Sequence, residues 1–195
     1  MEALQIWEKS METKEHIRKE VMKVRNALTY EEWQEKSMKI QQRIINWKHY
    51  EKAETLFLYR GLGREVSTDV IFTKALQDGK KVFFPKVHGR ELCFYEVTTM
   101  DEFLPGPYGI LEPITKKKEK KAPDLIIMPC LAFDKERNRI GYGKGYYDRY
   151  LEKKEGLLTA ALAFSFQMRE KIPAEEKDVA LQYVVTDEWI MGEKI

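Results

Sequence analysis

The segment covering residues 124–133 restricts the possible folds of this chain more than any other feature. After its acidic first residue it is an unbroken apolar run, which is typical of a strand that other elements cover on both faces. Residues 55–59 form a shorter run of apolar and β-branched residues that stops at a glycine turn, as a buried strand does. Because such strands occur mainly in parallel sheets flanked by helices, the two runs favour an α/β fold.

The rest of the chain alternates between helical and strand patterns. Apolar residues spaced four, three and four apart over residues 13–28 predict a first helix. Thr29 and Glu32 match the capping box of a second helix, which we expect to end near residue 48. Further helices are expected over residues 67–76 and 145–154, and further strands over residues 81–87, 92–97, 158–164 and 183–186. Residues 104–113 contain three prolines and two glycines, so we expect a loop there.

These patterns predict one domain over residues 1–195, with a three-layer, Rossmann-like architecture in which helices cover both faces of a mostly parallel sheet. Hydrophobic residues make up 43% of the chain and charged residues 34%, a composition that excludes a disordered chain. The formal net charge of +2 gives no overall attraction to nucleic acid or to an anionic membrane. Any binding of anions must therefore be local.

The expected compartment is the cytoplasm. Cys93 and Cys130 both lie inside apolar runs, which suits buried thiols in a reducing environment. Residues 1–9 lack the long apolar region of a signal peptide, and no stretch approaches the roughly 20 apolar residues of a membrane span. We expect a monomer that binds neither membranes nor nucleic acids.

The densest chemical signal is the sequence Arg-Ile-Gly-Tyr-Gly-Lys-Gly-Tyr-Tyr-Asp at residues 139–148, just beyond a predicted central strand. Open α/β sheets bind ligands at that edge. Alternate glycines allow backbone N–H groups to converge on an anion, and the following helix adds its positive end. Lys144 and Arg139 add cations, and Asp148 suits a magnesium ion held against phosphate oxygens. The segment therefore predicts a phosphate-binding site.

The alternative is that these glycines make only a tight turn and that Tyr146, Tyr147 and Tyr150 are packing residues. The spacing does not fit a Walker A loop, and a Rossmann fingerprint would require glycine where Tyr146 stands. The clustering of Arg139, Lys144 and Asp148 favours phosphate binding, because a simple turn does not require these residues.

The same segment, preceded by Asp-Leu-Ile-Ile-Met-Pro-Cys-Leu-Ala-Phe-Asp at residues 124–134, closely resembles the signature of the 5-formyltetrahydrofolate cyclo-ligase family, also called methenyltetrahydrofolate synthetases. Other landmarks that resemble this family are spread over nearly the whole chain: Lys14 with Arg18, Glu65 with Thr68, residues 84–86, 109–113 and 173–178. One departure is Lys177, which stands where family members often have histidine.

The resemblance implies an enzyme that converts 5-formyltetrahydrofolate to 5,10-methenyltetrahydrofolate and cleaves ATP to ADP and phosphate, with Mg²⁺ as cofactor. The implied catalytic residues are Lys144, Arg139 and Tyr147. The implied ATP-binding residues are Lys14, Arg18, Arg139, Gly141, Gly143, Lys144, Gly145, Tyr146 and Tyr147. The implied folate-binding residues are Arg60, Glu65, Phe84, Lys86, Tyr142 and Tyr146. The implied metal ligands are Asp148 and Asp178.

Several of these roles also have a physical basis in the sequence. Lys14 and Arg18 are four residues apart on a predicted helix, so they share a face and can converge on one anion, although charged residues on such a face are ordinarily solvated. Glu65 follows a glycine-containing loop, where a carboxylate can accept hydrogen bonds from a pterin or can simply favour the start of a helix. Cys130 has no histidine nearby, which favours a buried thiol over a nucleophile.

Two other functions remain open from the sequence. The first is a different ATP-dependent small-molecule ligase or kinase built on the same phosphate site. The second is a non-enzymatic nucleic-acid-binding protein that uses residues 116–121, which comprise five lysines and one glutamate. A run of this kind is usually a solvated connection, and the chain lacks a recognisable RNA-binding motif.

Overall fold

The structure, a computed structural model, describes residues 13–154, 156–175 and 178–192. The expectations for residues 1–9 and for Lys177 lie outside these residues. No helix in the described part of the chain is long and apolar enough to cross a membrane.

The helical part of the first third follows its sequence pattern closely. Helix α1 (Lys14–Asn26) begins after Thr13, whose hydroxyl accepts a hydrogen bond from the His16 amide. Helix α2 (Tyr30–Ile45) begins with the predicted capping box, in which the Thr29 and Glu32 side chains each bond to the other's backbone amide. A short helix α3 (Lys48–Lys52) then leads into the first strand.

The remaining elements alternate between strands and helices. The helices are α4 (Asp69–Gln77) and α5 (Tyr146–Glu152). The strands are β1 (Thr55–Phe57), β2 (Lys81–His88), β3 (Glu91–Glu96), β4 (Phe103–Pro105), β5 (Leu111–Pro113), β6 (Leu125–Pro129), β7 (Ala132–Phe133), β8 (Arg139–Ile140), β9 (Thr159–Leu162), β10 (Tyr183–Val185) and β11 (Ile190–Met191).

Seven of the described strands form the main sheet, in the order β11-β10-β9-β6-β1-β2-β3. The inner neighbours from β10 to β2 all pair in parallel, whereas the edge strands β11 and β3 are antiparallel to their neighbours. The sheet is therefore mostly parallel, as predicted. Strand β1 lies between β2 and β6, so the chain winds in opposite directions on its two sides.

Helices cover both faces of this sheet, which confirms the predicted layering. On one face, Ile40 and Ile44 of α2 and Ile71 of α4 pack with Leu56 and Ile127 of the central strands. On the opposite face, Tyr150 and Leu151 of α5 pack against Phe57, Ile126 and Met128. The alternation of Leu56 with Phe57, and of Ile126 with Ile127, is that of strands buried on both sides.

Helix α1 packs away from the main sheet, on the hairpin formed by β7 and β8. Its buried residues Ile17 and Val21 contact Leu131, Ala132 and Ile140. The hairpin follows the carboxyl end of β6 and leads directly into the glycine-rich segment. Helix α1 is consequently held beside that segment.

Two predictions about the middle of the chain need correction. Residues 104–113 were expected to be a loop, but they contain β4 and β5, which pair antiparallel. The prolines are tolerated because this is a separate two-stranded sheet, in which every strand is an edge. Residues 116–121 are not simply solvated, because the amides of Glu96 and Glu119 donate to the carbonyls of Lys117 and Phe94 along the edge of β3.

Candidate active site

The site lies where the winding direction of the sheet changes, at the carboxyl ends of β1 and β6. Open α/β sheets leave a crevice at this position, because the connections on its two sides diverge. The chain leaves β1 towards Glu65, and it leaves β6 towards the β7–β8 hairpin. The glycine-rich segment that follows this hairpin is therefore brought to the same edge as Glu65.

Residues 141–145, the glycine turn, require glycine at two positions. Gly143 and Gly145 have φ angles of +86° and +63°, which residues with a Cβ rarely adopt. Arg18 lies against the turn: its Nε donates to the Gly141 carbonyl at 2.8 Å. A Cβ at position 143 would stand only 3.2 Å from Arg18 Nη2. Glycine at 143 thus allows the guanidinium of α1 to approach the backbone.

Lys14, one turn before Arg18, holds the segment that precedes β10. Its Nζ donates to Asp178 Oδ2 at 2.6 Å and to Glu175 Oε1 at 2.8 Å. Burial alone would lower the pKa of Lys14, but the hydrogen bonds to these carboxylates outweigh it and raise the pKa above its ordinary value. Lys14 and Arg18 therefore converge on one region, as their spacing predicted.

Arg139 and Asp148 form a second link at this end of the site. The Arg139 side chain is only 8% exposed, and it donates to Asp148 Oδ1 and to the Val179 carbonyl, both at 2.8 Å. These two bonds tie β8 to α5 and to the 178–179 segment. Both terminal nitrogens of Arg139 thus bond to groups within the protein. We call the bonds of Lys14 with Glu175 and Asp178, and of Arg139 with Asp148, the outer charge pairs.

The two predicted metal ligands lie near each other but form no complete metal cage. Asp178 precedes Val179, whose amide points at Asp148 Oδ1 from 3.5 Å. Within the described ranges, no group of three or more His, Cys, Asp or Glu side chains is arranged to hold a metal ion. Mg²⁺ is commonly bound by one or two carboxylates together with phosphate oxygens. The residues present therefore fit a magnesium ion that arrives with a nucleotide better than one held by protein alone.

Glu65, Arg25 and Tyr142 form an inner cluster on the other side of the glycine turn. Arg25 and Glu65 are 4% and 6% exposed, and Arg25 Nη1 lies 3.9 Å from Glu65 Oε1. Arg25 Nη2 donates to the Tyr142 hydroxyl at 2.9 Å, and the Leu62 amide donates to Glu65 Oε2 at 2.7 Å. Burial raises the pKa of Glu65, although Tyr142, the Leu62 amide and Arg25 oppose this rise.

Sequence reasoning found Glu65 and Tyr142 but missed Arg25. The available signal was its position on α1, eleven residues after Lys14 and seven after Arg18. Because eleven residues are close to three helical turns, these basic residues share one face. Arg25 was overlooked because its partners Glu65 and Tyr142 are 40 and 117 positions away in the sequence.

The predicted tyrosines Tyr146 and Tyr147 begin α5, directly after the glycine turn. Burial raises the pKa of Tyr147, and the negative charge of Glu65 raises it further. The Tyr147 hydroxyl is therefore close enough to Glu65 to interact with its charge. Tyr146 is half-buried, and the Arg149 guanidinium lies 5.1 Å from its ring centre. Lys144 is exposed on the glycine turn.

Three other predicted folate-binding residues lie beside the β4–β5 hairpin rather than beside the glycine turn. Arg60 is paired with Asp69 and stands 5.1 Å from the Phe103 ring centre. Lys86 donates to the Pro113 carbonyl at 3.2 Å. Phe84 is completely buried and packs edge-on against Phe103. The core position of Phe84 does not support the expectation that it lines a pocket, because a side chain without exposed surface offers nothing to a ligand.

Comparisons with known proteins show what this chain is similar to. Residues 10–187 match the model of the 5-formyltetrahydrofolate cyclo-ligase family. A 5-formyltetrahydrofolate cyclo-ligase from Mus musculus is 30% identical, over 90% of this chain and 94% of its own length. The NMR structure of the Aquifex aeolicus 5,10-methenyltetrahydrofolate synthetase has a TM-score of 0.81 at 32% identity and covers 91% of both chains. The Mycoplasma pneumoniae synthetase has a TM-score of 0.73 at 26% identity, covering 89% of this chain and 98% of that one.

Proposed function

The chain belongs to the 5-formyltetrahydrofolate cyclo-ligase family, and we propose that it converts 5-formyltetrahydrofolate to 5,10-methenyltetrahydrofolate while cleaving ATP to ADP and phosphate. Membership confirms the resemblance seen at residues 124–148 and the expectation of an enzyme. The reaction itself is our proposal for this chain. It rests on membership together with the geometry of the site.

The chemistry explains why a nucleotide is needed. The oxygen of the formamide group is a poor leaving group, so ring closure requires its activation. In the proposed reaction the formyl oxygen attacks the γ-phosphorus of ATP, and ADP leaves. N10 of the same folate then attacks the formyl carbon and loses its proton, and the carbon–oxygen bond breaks with release of phosphate. Both nucleophiles belong to the substrate, so the protein must mainly position groups and stabilise charge.

One observation carries this proposal: the glycine turn separates a cationic region from a buried carboxylate. Arg18 bonds to the Gly141 carbonyl of the turn, with Lys14 one helical turn before it, and Tyr142 of the turn bonds to Arg25 beside Glu65. Lys144 is exposed on the turn itself. Phosphate groups suit the cations and the turn amides. A pterin, which carries N–H donors, suits the carboxylate. An oxygen transferred from one ligand to the other would lie between them, over the turn.

The residues then have distinct proposed roles. Lys144 and Arg18 offset the charge on the transferred phosphoryl group, with Gly141, Gly143 and Gly145 leaving the turn amides accessible to it. Lys14 contacts the phosphates after releasing Asp178. Arg139 acts by positioning Asp148 and the turn, because both of its terminal nitrogens bond within the protein. Tyr146 and Tyr147 form the wall between nucleotide and pterin, and Tyr142 covers the inner cluster.

Magnesium fits this arrangement as a partner of the nucleotide. Asp148 would hold it, with Asp178 as a second carboxylate once Lys14 has turned to the phosphates. When bound, the ion supplies charge neutralisation at the phosphate oxygens. Asp148 itself is held ready by Arg139, which fixes one of its carboxylate oxygens at 2.8 Å.

The remaining features of the proposal concern where and with what the protein acts. The thiols of Cys93 and Cys130 are free and buried, which supports a reducing compartment such as the cytoplasm. The lysine-rich residues 116–121 bond along β3, which gives little support to a nucleic-acid-binding function. We propose a monomer whose ligands are a reduced folate and ATP.

The direct test is to mix the purified full-length protein with 5-formyltetrahydrofolate and magnesium ATP and to follow the absorbance of methenyltetrahydrofolate. We expect product to form in a one-to-one ratio with ADP, and only when all components are present. Absence of product at enzyme concentrations near that of the substrate, or product formation without ATP, would contradict the proposed function.

A further inference from the structure

The inner cluster contains charged atoms that the protein itself does not satisfy. Among the described residues, Arg25 Nε and Nη1 and Glu65 Oε1 have no hydrogen-bond partner, although all three atoms are buried. An unmade hydrogen bond of a buried polar group destabilises the fold, and more so when the group is charged. A cost of this kind persists where the atoms have another use, such as binding a ligand.

A simple structural ion pair does not explain this arrangement. A direct bond between a guanidinium and a carboxylate has a length of about 2.7–2.9 Å, whereas Arg25 Nη1 and Glu65 Oε1 are 3.9 Å apart. The two groups thus face each other without using their donor and acceptor on one another. The Leu62 amide fixes the carboxylate through its other oxygen at 2.7 Å, so Oε1 is held in place.

The Tyr142 hydroxyl indicates which kind of ligand this pair accepts. It takes a hydrogen bond from Arg25 Nη2 at 2.9 Å, so it already plays the part of an acceptor for Arg25. Tyr142 is on the glycine turn and is 42% exposed, so this hydroxyl covers the pair from the solvent side. A cis-amide in a ring offers a carbonyl oxygen and an N–H next to each other. That edge would serve Arg25 and Glu65 at once, in place of the hydroxyl.

We infer that Arg25 is a specificity-determining residue that reads the 4-oxo group of the pterin ring, donating to this oxygen while Glu65 accepts from the neighbouring N3–H and the 2-amino group. The inference rests on the proposed function, since it names how the same site selects its folate. The ligand displaces the Tyr142 hydroxyl from Arg25 when it binds. A ring with a 4-amino group would instead point a donor at the guanidinium, which has donors only.

The test compares 5-formyltetrahydrofolate with its 4-amino analogue by calorimetric titration of the full-length protein. We expect the wild type to bind the 4-oxo compound at least tenfold more tightly. In Arg25→Met, the Kd of the 4-oxo compound should rise about 10–100-fold, the effect of losing one hydrogen bond to a charged group. The Kd of the 4-amino compound should change little, so the ratio of the two Kd values should fall by the same factor, and any preference that remains reflects the N3–H that only the 4-oxo ring presents to Glu65.

The ratio of the two Kd values is the decisive quantity, because damage to folding weakens the binding of both ligands together. Lys23→Met, an exposed position on the same helix, should leave the ratio unchanged. The inference would be overturned if Arg25→Met showed the same ratio of Kd values as the wild type. It would also be overturned if the wild type bound both compounds equally tightly, a result that needs no variant. If Arg25→Met does not fold, Arg25→Lys, which keeps the charge but loses the fork, should lower the ratio. The wild type's failure to form methenyltetrahydrofolate would instead reject the proposed function.

Discussion

At the outer end of the site the charged side chains are bonded to each other: Lys14 to Asp178 and Glu175, and Arg139 to Asp148. In the inner cluster, by contrast, Arg25 and Glu65 stand 3.9 Å apart, and both have atoms without a hydrogen-bond partner. Each outer charge pair has at least one partly exposed side chain, whereas both side chains of the inner cluster's ion pair are almost completely buried. Hydrogen-bonded salt bridges therefore form at the outer end, where water weakens the attraction between charges. In the interior, where this attraction is stronger, the ion pair has no direct hydrogen bond.

This contrast follows from the ligands that we propose for the two ends. A nucleotide brings its own charge and metal ion, so at the outer end the protein can satisfy its cations with carboxylates until the phosphates replace them. A pterin is neutral and must be recognised through hydrogen bonds. Discrimination of that kind depends on buried polar groups that only the correct partner can satisfy. The inner cluster is therefore kept incomplete.

The largest effect is expected at the exposed end, from Lys144→Ala. Turnover should fall about 100- to 1000-fold, as when one electrostatic contact to a transition state is removed, while the free energy of unfolding changes by less than about 0.5 kcal/mol. Steady-state kinetics and urea denaturation measure the two quantities. Lys135→Ala, at another exposed lysine, should alter neither. Turnover near that of the wild type would remove Lys144 from the mechanism.

Asp148→Asn should change the response to metal. The Mg²⁺ concentration that gives half-maximal rate should rise about tenfold or more, since the ligand charge is lost and only a neutral amide oxygen remains to accept from Arg139. A magnesium titration of the initial rate measures this, with Glu152→Gln on the same helix as the control. An unchanged titration curve would show that the outer charge pair of Asp148 is purely structural.

Tyr142→Phe should strengthen the binding of folate, whereas an ordinary mutation in a binding site weakens the binding of its ligand. Because Arg25 Nη2 loses its acceptor, the free protein should become less stable by about 1 kcal/mol. Folate should bind several-fold more tightly, since no hydroxyl has to be displaced. Calorimetry and urea denaturation test both expectations, with the exposed Tyr30→Phe as the control. Weaker folate binding would mean that the hydroxyl contacts the ligand itself.

A smaller effect is expected in the pH dependence of stability. Burial favours a raised pKa for Asp178, but hydrogen bonds from Lys14 and from the Glu175 amide hold it below its ordinary value. This contribution is present above about pH 4, the ordinary pKa of Asp, and is lost as the pH falls through the lowered pKa. The free energy of unfolding of the wild type should exceed that of Lys14→Met by about 1 kcal/mol at pH 7. The difference should shrink in urea denaturation as the pH is lowered to 3; a constant difference would exclude this pairing.

The smallest functional effect is expected for Cys130→Ala. Burial raises the pKa of the Cys130 thiol to about 12, which leaves almost no thiolate at neutral pH. The variant should keep its turnover within about twofold and lose about 1 kcal/mol of stability, as for the loss of one small buried group. The native thiol should also resist alkylation until the protein unfolds. A large loss of turnover would mean that the Cys130 thiol takes part in the reaction.

Much of the fold could be predicted from local patterns. The capping box of α2, the apolar stripe of α1 and the buried runs of β1 and β6 each follow from short-range spacing, and the structure has them within a few residues. The β4–β5 pairing was missed because proline and glycine normally indicate a loop, whereas here each strand has only one partner.

The site could be predicted in part, for the same reason. Spacing on one helix predicted that Lys14 and Arg18 share a face, the family resemblance implied that they act together, and the glycine turn was visible as a contiguous motif. Arg25 was not, because its role depends on contacts with residues far away in the sequence. Proximity to strand ends could not predict that Phe84 is buried in the core, since it does not show whether a side chain points to a crevice or into the core. The role of Lys86 stays a prediction.

The lysine-rich residues 116–121 also matter for how the molecule behaves at high concentration. Strand β3 ends the main sheet, and an exposed end strand offers unpaired amides and carbonyls to any other strand it meets. Here the carbonyl of Lys117 and the backbone amide and carboxylate of Glu119 occupy three of these groups, and flanking lysines surround them with like charge. The opposite edge, β11, has only two residues. Both borders of the sheet are consequently poor templates for edge-to-edge polymerisation.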